Sequence, residues 1–128
     1  MITFLIELQR LKRLDRTGWV LRGLPPGAES VGAHTHGVAV AAMLLADGVR
    51  ARGVKVDVER VLRMALMHDA AEARTGDLPR AAAHYYPAEA RREAERAAFD
   101  DMVADLDEAR RLAYNELHEG NRSGGKNL

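Results

Sequence analysis

Apolar residues Phe4, Leu5, Leu8, Leu11 and Leu14 recur at the spacing of one helix face, so residues 2–14 predict an amphipathic first helix. The pattern then stops. Between Asp15 and Ser30, Gly18, Gly23, Pro25, Pro26 and Gly27 interrupt regular structure and predict a loop, a place where a helical scaffold can carry site residues. Ser30 suits the N-cap of the next segment, which runs through Val38, Val40, Met43, Leu44 and Leu45 and is apolar almost all round until Arg50. Such a helix is expected to be central and buried. Gly53 should close it, Asp57 should cap a third helix, and Val58, Val61, Leu62, Ala65 and Leu66 repeat at helical spacing toward Gly76. Thr75-Gly76-Asp77-Leu78-Pro79 reads as a turn, and Ala88 to Val103, rich in Ala, Glu and Arg, as a helix with a solvated charged face. Leu106 to Glu119 predicts a last helix, and residues 120–128, with Gly120, Gly124 and Gly125, a flexible or truncated tail. No segment alternates as a strand does. The expected fold is all-α, a single domain over residues 1–119 with about five helices.

Composition narrows the function classes. The chain has 128 residues, 47% of them hydrophobic and 30% charged, which is the profile of one globular domain. With 19 basic and 19 acidic residues the net charge is zero, so neither nucleic-acid nor membrane partners are expected and any anion must be bound locally. Cysteine is absent, which removes thiolate nucleophiles and leaves His, Asp and Glu as metal ligands. The start, Ile2 to Leu8, is short and holds Glu7, so it reads as neither a signal nor a span, and a cytoplasmic location is the expectation.

On a helical wheel Val61, Ala65, His68 and Glu72 share one face of the third helix, with Asp69 beside His68. This apolar stripe ends in charge. Buried carboxylates need a partner or a metal, so Asp69 and Glu72 require one. Val31, His34, Val38, Ala41 and Leu45 form a similar stripe on the second helix and turn His34 inward. If the two helices pack together, His34 meets His68 and Asp69, and two imidazoles with one carboxylate suit a first-row divalent ion. Hydrogen-bonded core histidines would satisfy the same pattern. His36, His84 and His118 read as surface or packing residues, and Asp100, Asp101, Asp105 and Asp107 as ordinary surface acids.

Four segments, in order, resemble the HD-domain metal-dependent phosphohydrolase superfamily, and within it the small 5′-deoxynucleotidase group. They are Arg16-Thr17-Gly18-Trp19-Val20-Leu21-Arg22, Glu29-Ser30-Val31-Gly32-Ala33-His34, Ala65-Leu66-Met67-His68-Asp69-Ala70-Ala71-Glu72, and Thr75-Gly76-Asp77-Leu78-Pro79. The likeness covers about residues 8–119. It implies metal ligation by His34, His68 and Asp69, catalytic roles for Glu72 and Asp77, and phosphate or sugar contacts from Arg16 and Trp19. The metal would be Mn, Co, Fe, Ni, Zn or Mg, the substrate a nucleoside 5′-monophosphate, including 2′-deoxy forms, and the assembly a homodimer. In the family a further Asp, downstream of these segments, completes the metal site. Here a shortened chain, a water or a carboxylate such as Glu116 is the expectation for that position. Ala33 also stands where the group often carries an acidic residue.

These roles agree with ordinary chemistry. Glu72 could act as base on a metal-held water or as acid toward a leaving alcohol. Asp77 either orients the sugar and shares in proton transfer or simply stabilises its turn. Arg16 offers a planar fork to phosphate, and Trp19 offers a ring to a base or sugar or else anchors its loop in the core. Two other classes compete with the enzyme: a nucleotide-binding or regulatory HD domain without turnover, and a plain helical bundle whose inward His and Asp are merely paired.

Overall fold

A computed structural model describes the backbone of residues 1–123 and the side chains of residues 1–120. Five helices of seven residues or more carry the fold: α1 (Ile2–Leu8), α3 (Val31–Ala51), α4 (Val58–Met67), α7 (Ala88–Met102) and α8 (Glu108–Ser123). Three short ones, α2 (Thr17–Leu21), α5 (Glu72–Thr75) and α6 (Arg80–Ala83), lie in the connections, and there are no strands among the described residues. The all-α expectation holds. The last helix runs past Glu119 to Ser123, and the remainder of the expected tail lies outside the described residues. No described helix is long and apolar enough to cross a membrane.

Local chemistry explains where the helices begin and end. Ser30 Oγ accepts the Ala33 N–H at 3.0 Å and Asp57 Oδ1 accepts the Arg60 N–H at 3.0 Å, so both expected N-caps are made. Gly53 sits at φ 86° after the last turn of α3, a left-handed conformation that glycine adopts without steric cost. The first helix tightens after Leu8 into a 3-10 turn, Gln9–Lys12, and turns Phe4 and Leu11 inward while Leu5 stays exposed. A Cβ on Gly32 would stand 3.3 Å from the Leu11 carbonyl oxygen, so a residue without a side chain lets α3 start directly against that turn.

The core gathers Phe4, Ala70, Ala71, Phe99, Met102 and Val103, with Phe4 and Phe99 in an edge-to-face arrangement at 6.3 Å. It lies among α1, α5, α7 and α8. Consequently α3 is not the buried centre its apolar pattern suggested: it packs on α4 along one side, and on the other Leu44 and Leu45 are 63% and 70% exposed. Residues 15–30 are also less irregular than expected, since α2 forms inside them and an antiparallel bridge between Asp15 and Ser30 closes the loop at its base.

His118 reverses the surface reading. It is 1% exposed, stacks on Phe99 at 4.3 Å with the rings 6° from parallel, and its Nε2 has no hydrogen-bond partner among the described residues. Burial holds its pKa below the ordinary 6.5, while the nearby Asp69 and His68 charges act in opposite directions. The unfolded chain therefore binds more protons than the folded one just below pH 6.5, and stability that is complete above 6.5 is lost as pH falls toward the folded-state value. His118→Phe keeps the stack and removes the titration. Urea unfolding of metal-free protein should show the variant losing less stability between pH 7.5 and 5.5 than the parent. Equal losses would show that His118 is not held neutral.

Candidate metal centre and its pocket

The third predicted helix does not run unbroken to Gly76. It ends at Met67, and the chain then advances by short-range bonds, Ala70 N–H to Met67 O at 3.1 Å, Glu72 N–H to Asp69 O at 3.0 Å and Arg74 N–H to Ala71 O at 2.9 Å. Bonds from i to i−3 wind more tightly than an α-helix. His68 and Asp69 sit in this tightened segment, while Ala70 and Ala71 pin it to the core. Facing it, the first turn of α3 presents His34.

One ligand atom each from His34, His68 and Asp69 fall within 4.8 Å of one another. Asp69 Oδ2 lies 2.8 Å from His68 Nε2 and 3.7 Å from His34 Nε2, and the two rings are 5.7 Å apart. The outer ring nitrogen of His68 fixes its tautomer. His68 Nδ1 is 2.6 Å from the Ala65 carbonyl oxygen, which can only accept, so Nδ1 carries the proton. The His34 Nδ1 is turned toward Glu29 at 4.0 Å, an electrostatic contact and not a hydrogen bond. In neutral His68 this leaves the Nε2 lone pair against a carboxylate oxygen. Two acceptors at 2.8 Å repel unless a cation lies between them, and either a proton or a metal ion can fill that role. Burial pulls the His68 pKa down, but the hydrogen bond and charge of Asp69 outweigh it and the net shift is upward. Burial disfavours the charged Asp69 too, yet His68, His34 and Arg16 together hold its carboxyl below the ordinary value. For His34, burial and the Arg16 charge prevail and its pKa is lowered. The donor set and its orientation fit a divalent metal.

Glu72 completes the acidic edge. Its Oε2 is buried without a hydrogen-bond partner among the described residues, and burial together with the Asp69 and Asp77 charges pushes its pKa to about 8. Gly76, at φ 77°, reverses the chain after α5 and delivers Asp77 to the start of α2. There Asp77 Oδ2 accepts the Thr17 N–H at 2.8 Å and the Thr17 hydroxyl at 3.1 Å. Asp77 thus tethers two distant segments, and its side of the turn also lines the cavity.

That cavity, of about 650 Å³, opens beside the centre and includes Arg16, Trp19 and Asp77 in its wall. Trp19 is partly exposed rather than plugged into the core, and its indole N–H donates to Glu29 Oε1 at 3.1 Å. Arg16 Nη1 reaches the same oxygen at 3.4 Å. Glu29 therefore joins Arg16, Trp19 and His34, a role not visible in the sequence, where it is one more acid before an N-cap. The structure thus brings together every residue singled out for the site. Glu116 is not among them: it is exposed and paired with Arg60 at 3.2 Å, because its helix position faces α4 rather than the His–Asp group.

A model of the HD domain matches residues 8–120. The chain is 35% identical over 119 residues to the 5′-deoxynucleotidase HDDC2 of Homo sapiens, covering 93% of this chain and 54% of that protein. It is 38% identical over 77 residues to the 5′-deoxynucleotidase YGK1 of Saccharomyces cerevisiae, 60% of this chain and 33% of that one. The chain therefore spans about half the length of the human relative or less of the yeast one. Among solved structures, a conserved hypothetical protein from Pyrococcus furiosus aligns with a TM-score of 0.81 at 36% identity, covering 100% of this chain and 69% of its own. With its His–Asp pair, its second inward histidine and this match over nearly all its length, the chain belongs to the HD-domain family.

Proposed function

We propose that this chain hydrolyses a nucleoside 5′-monophosphate to nucleoside and phosphate, using a divalent metal ion held by His34, His68 and Asp69. The observation that carries the reading is the meeting of two Nε2 atoms and one carboxylate, which Glu29 links to Arg16 and Trp19 in the wall of the cavity. The relatives' name, 5′-deoxynucleotidase, supports the substrate class. Among the described residues three protein donors come together, and an ion held by them would have room for water and phosphate. When bound, the ion supplies an acidified water and positive charge against the phosphoryl oxygens.

The side chains provide the rest. Arg16 holds five N–H donors, and the long contact to Glu29 leaves most of them for phosphate. Trp19, fixed through Glu29, offers its ring to the sugar or base. Glu72, whose pKa burial and the Asp69 and Asp77 charges push to about 8 in the metal-free chain, can carry a proton to the 5′ oxygen as the phosphorus–oxygen bond breaks. Asp77, held by Thr17, is positioned to orient a sugar hydroxyl. Purified protein with added Mn²⁺ or Co²⁺ should release phosphate from one or more members of a ribo- and deoxyribonucleoside 5′-monophosphate panel, and a chelator should stop it. Glu72→Gln should lower kcat by about 10²–10³ with metal content unchanged. Absence of phosphate release from the whole panel would overturn the reading.

A further inference from the structure

The cavity beside the metal centre carries more positive charge than a single reacting phosphate requires. Four arginines line it, Arg16, Arg22, Arg80 and Arg91, against one carboxylate, Asp77. Two of these five charges already have partners, Arg16 in Glu29 and Asp77 in Thr17. Arg22, Arg80 and Arg91 have no carboxylate within ion-pair distance among the described residues. Arg91 shows the contrast within one helix. The outward Arg92 and Arg96 of α7 pair with Glu89 at 2.5 Å and Glu93 at 2.7 Å, whereas Arg91 turns to the cavity wall with its Nε buried and without a partner. A buried donor without an acceptor is costly, and like charges gathered at one wall repel. The three residues come from the end of α2, the start of α6 and the first turns of α7, so helix periodicity alone does not produce the cluster.

We infer that Arg22, Arg80 and Arg91 form a second anion subsite, apart from the phosphate at the metal, and that the pocket binds a nucleotide bearing a further phosphate group more tightly than the plain 5′-monophosphate. The inference rests on the proposed nucleotide reading and deepens it. Guanidinium groups match phosphate oxygens with paired donors, and a phosphate held among these three would give the orphaned Arg91 Nε an acceptor and offset the gathered charge. A cavity of about 650 Å³ has room for such a ligand. The further phosphate can stand on the 3′ oxygen or extend a chain at the 5′ oxygen, and the two sources are separable.

The test is calorimetric binding to the chelator-treated full chain, which prevents turnover, with deoxyadenosine, its 5′-monophosphate, its 3′,5′-bisphosphate and its 5′-triphosphate. One of the two polyphosphorylated ligands should bind at least about tenfold more tightly than the monophosphate, with the steeper salt dependence of a second ionic contact. The preferred one identifies the source. The preference should fall below about twofold in Arg91→Gln and in Arg22→Gln/Arg80→Gln, the second pair being exposed and therefore harmless to folding. Equal affinity for mono- and polyphosphates, or a preference that survives both variants, overturns the subsite. If the monophosphate is hydrolysed with Mn²⁺ but shows no such contrast, the subsite fails and the proposed function stands. If polyphosphates bind through these arginines but no monophosphate is bound or hydrolysed, the subsite stands and the proposed function fails.

Discussion

Asp69→Ala should purify without divalent metal under conditions where the unaltered protein retains close to one ion per chain, and its phosphate release should fall by about a thousandfold or more. Asp69 is the carboxylate shared by His34 and His68, at 3.7 and 2.8 Å, and without it two neutral imidazoles must hold a dication near the Arg16 charge. Loss of several kcal/mol of metal-derived stabilisation corresponds to about 10³ in rate, at about 1.4 kcal/mol per factor of ten. A second readout does not depend on activity. Metal that binds the folded state should raise the melting temperature of the parent, and that rise should vanish in Asp69→Ala and in His68→Ala. His36→Ala is the control, since His36 is exposed and two residues round the helix from His34. Metal content by mass spectrometry on protein purified without chelator decides the matter: full occupancy in Asp69→Ala would show that the ion, if any, is held elsewhere.

The residues of the centre were legible because periodicity reports which face of a helix is turned inward, and an ionisable group on an apolar face is conspicuous. His34, His68, Asp69 and Glu72 were found in that way. Periodicity does not report what covers a face. The apolar stripe of α3 predicted burial, yet Leu44 and Leu45 are exposed, because α4 and the Gln9–Lys12 turn, which pack on α3, leave them uncovered. The break at His68 was hidden for a different reason: Ala70, Ala71, Glu72 and Ala73 all favour helix, so composition gives no sign that packing of Ala70 and Ala71 tightens the chain there. Long-range partners were invisible as well. Thr17 and Asp77 meet across 60 residues, and Glu29 joins Trp19 and His34 only once the bridge at Asp15 has closed its loop. His118 could have been found. Tyr114, Leu117 and His118 share a face by their three- and four-residue spacing, and that face is buried.

Arg74→Ala should destabilise the fold by about 3 kcal/mol, or roughly 10 °C in melting temperature for a domain of this size. Glu7 is 8% exposed on α1, and Arg74 of α5 donates to it through Nε at 2.6 Å and Nη2 at 3.1 Å. Removing the arginine leaves a carboxylate in the interior with only Arg10, at 3.3 Å, to offset it. Breaking a buried pair costs about 3–5 kcal/mol, and the lower figure applies here because Arg74 is partly exposed and Arg10 remains. Replacing both partners tests the cause. Glu7→Leu/Arg74→Met removes the desolvated charge with the interaction, so it should restore stability to within about 1 kcal/mol of the parent in urea unfolding. A double variant as unstable as Arg74→Ala would instead assign the loss to packing of the arginine stem. The pair also bears on the site, because Arg74 lies two residues after Glu72 and ties the short α5 to α1. If that tie holds Glu72 beside Asp69, Arg74→Ala should lower kcat even well below its melting temperature, where the protein is folded, while the double variant, with α5 docked again by apolar contacts, should recover much of it.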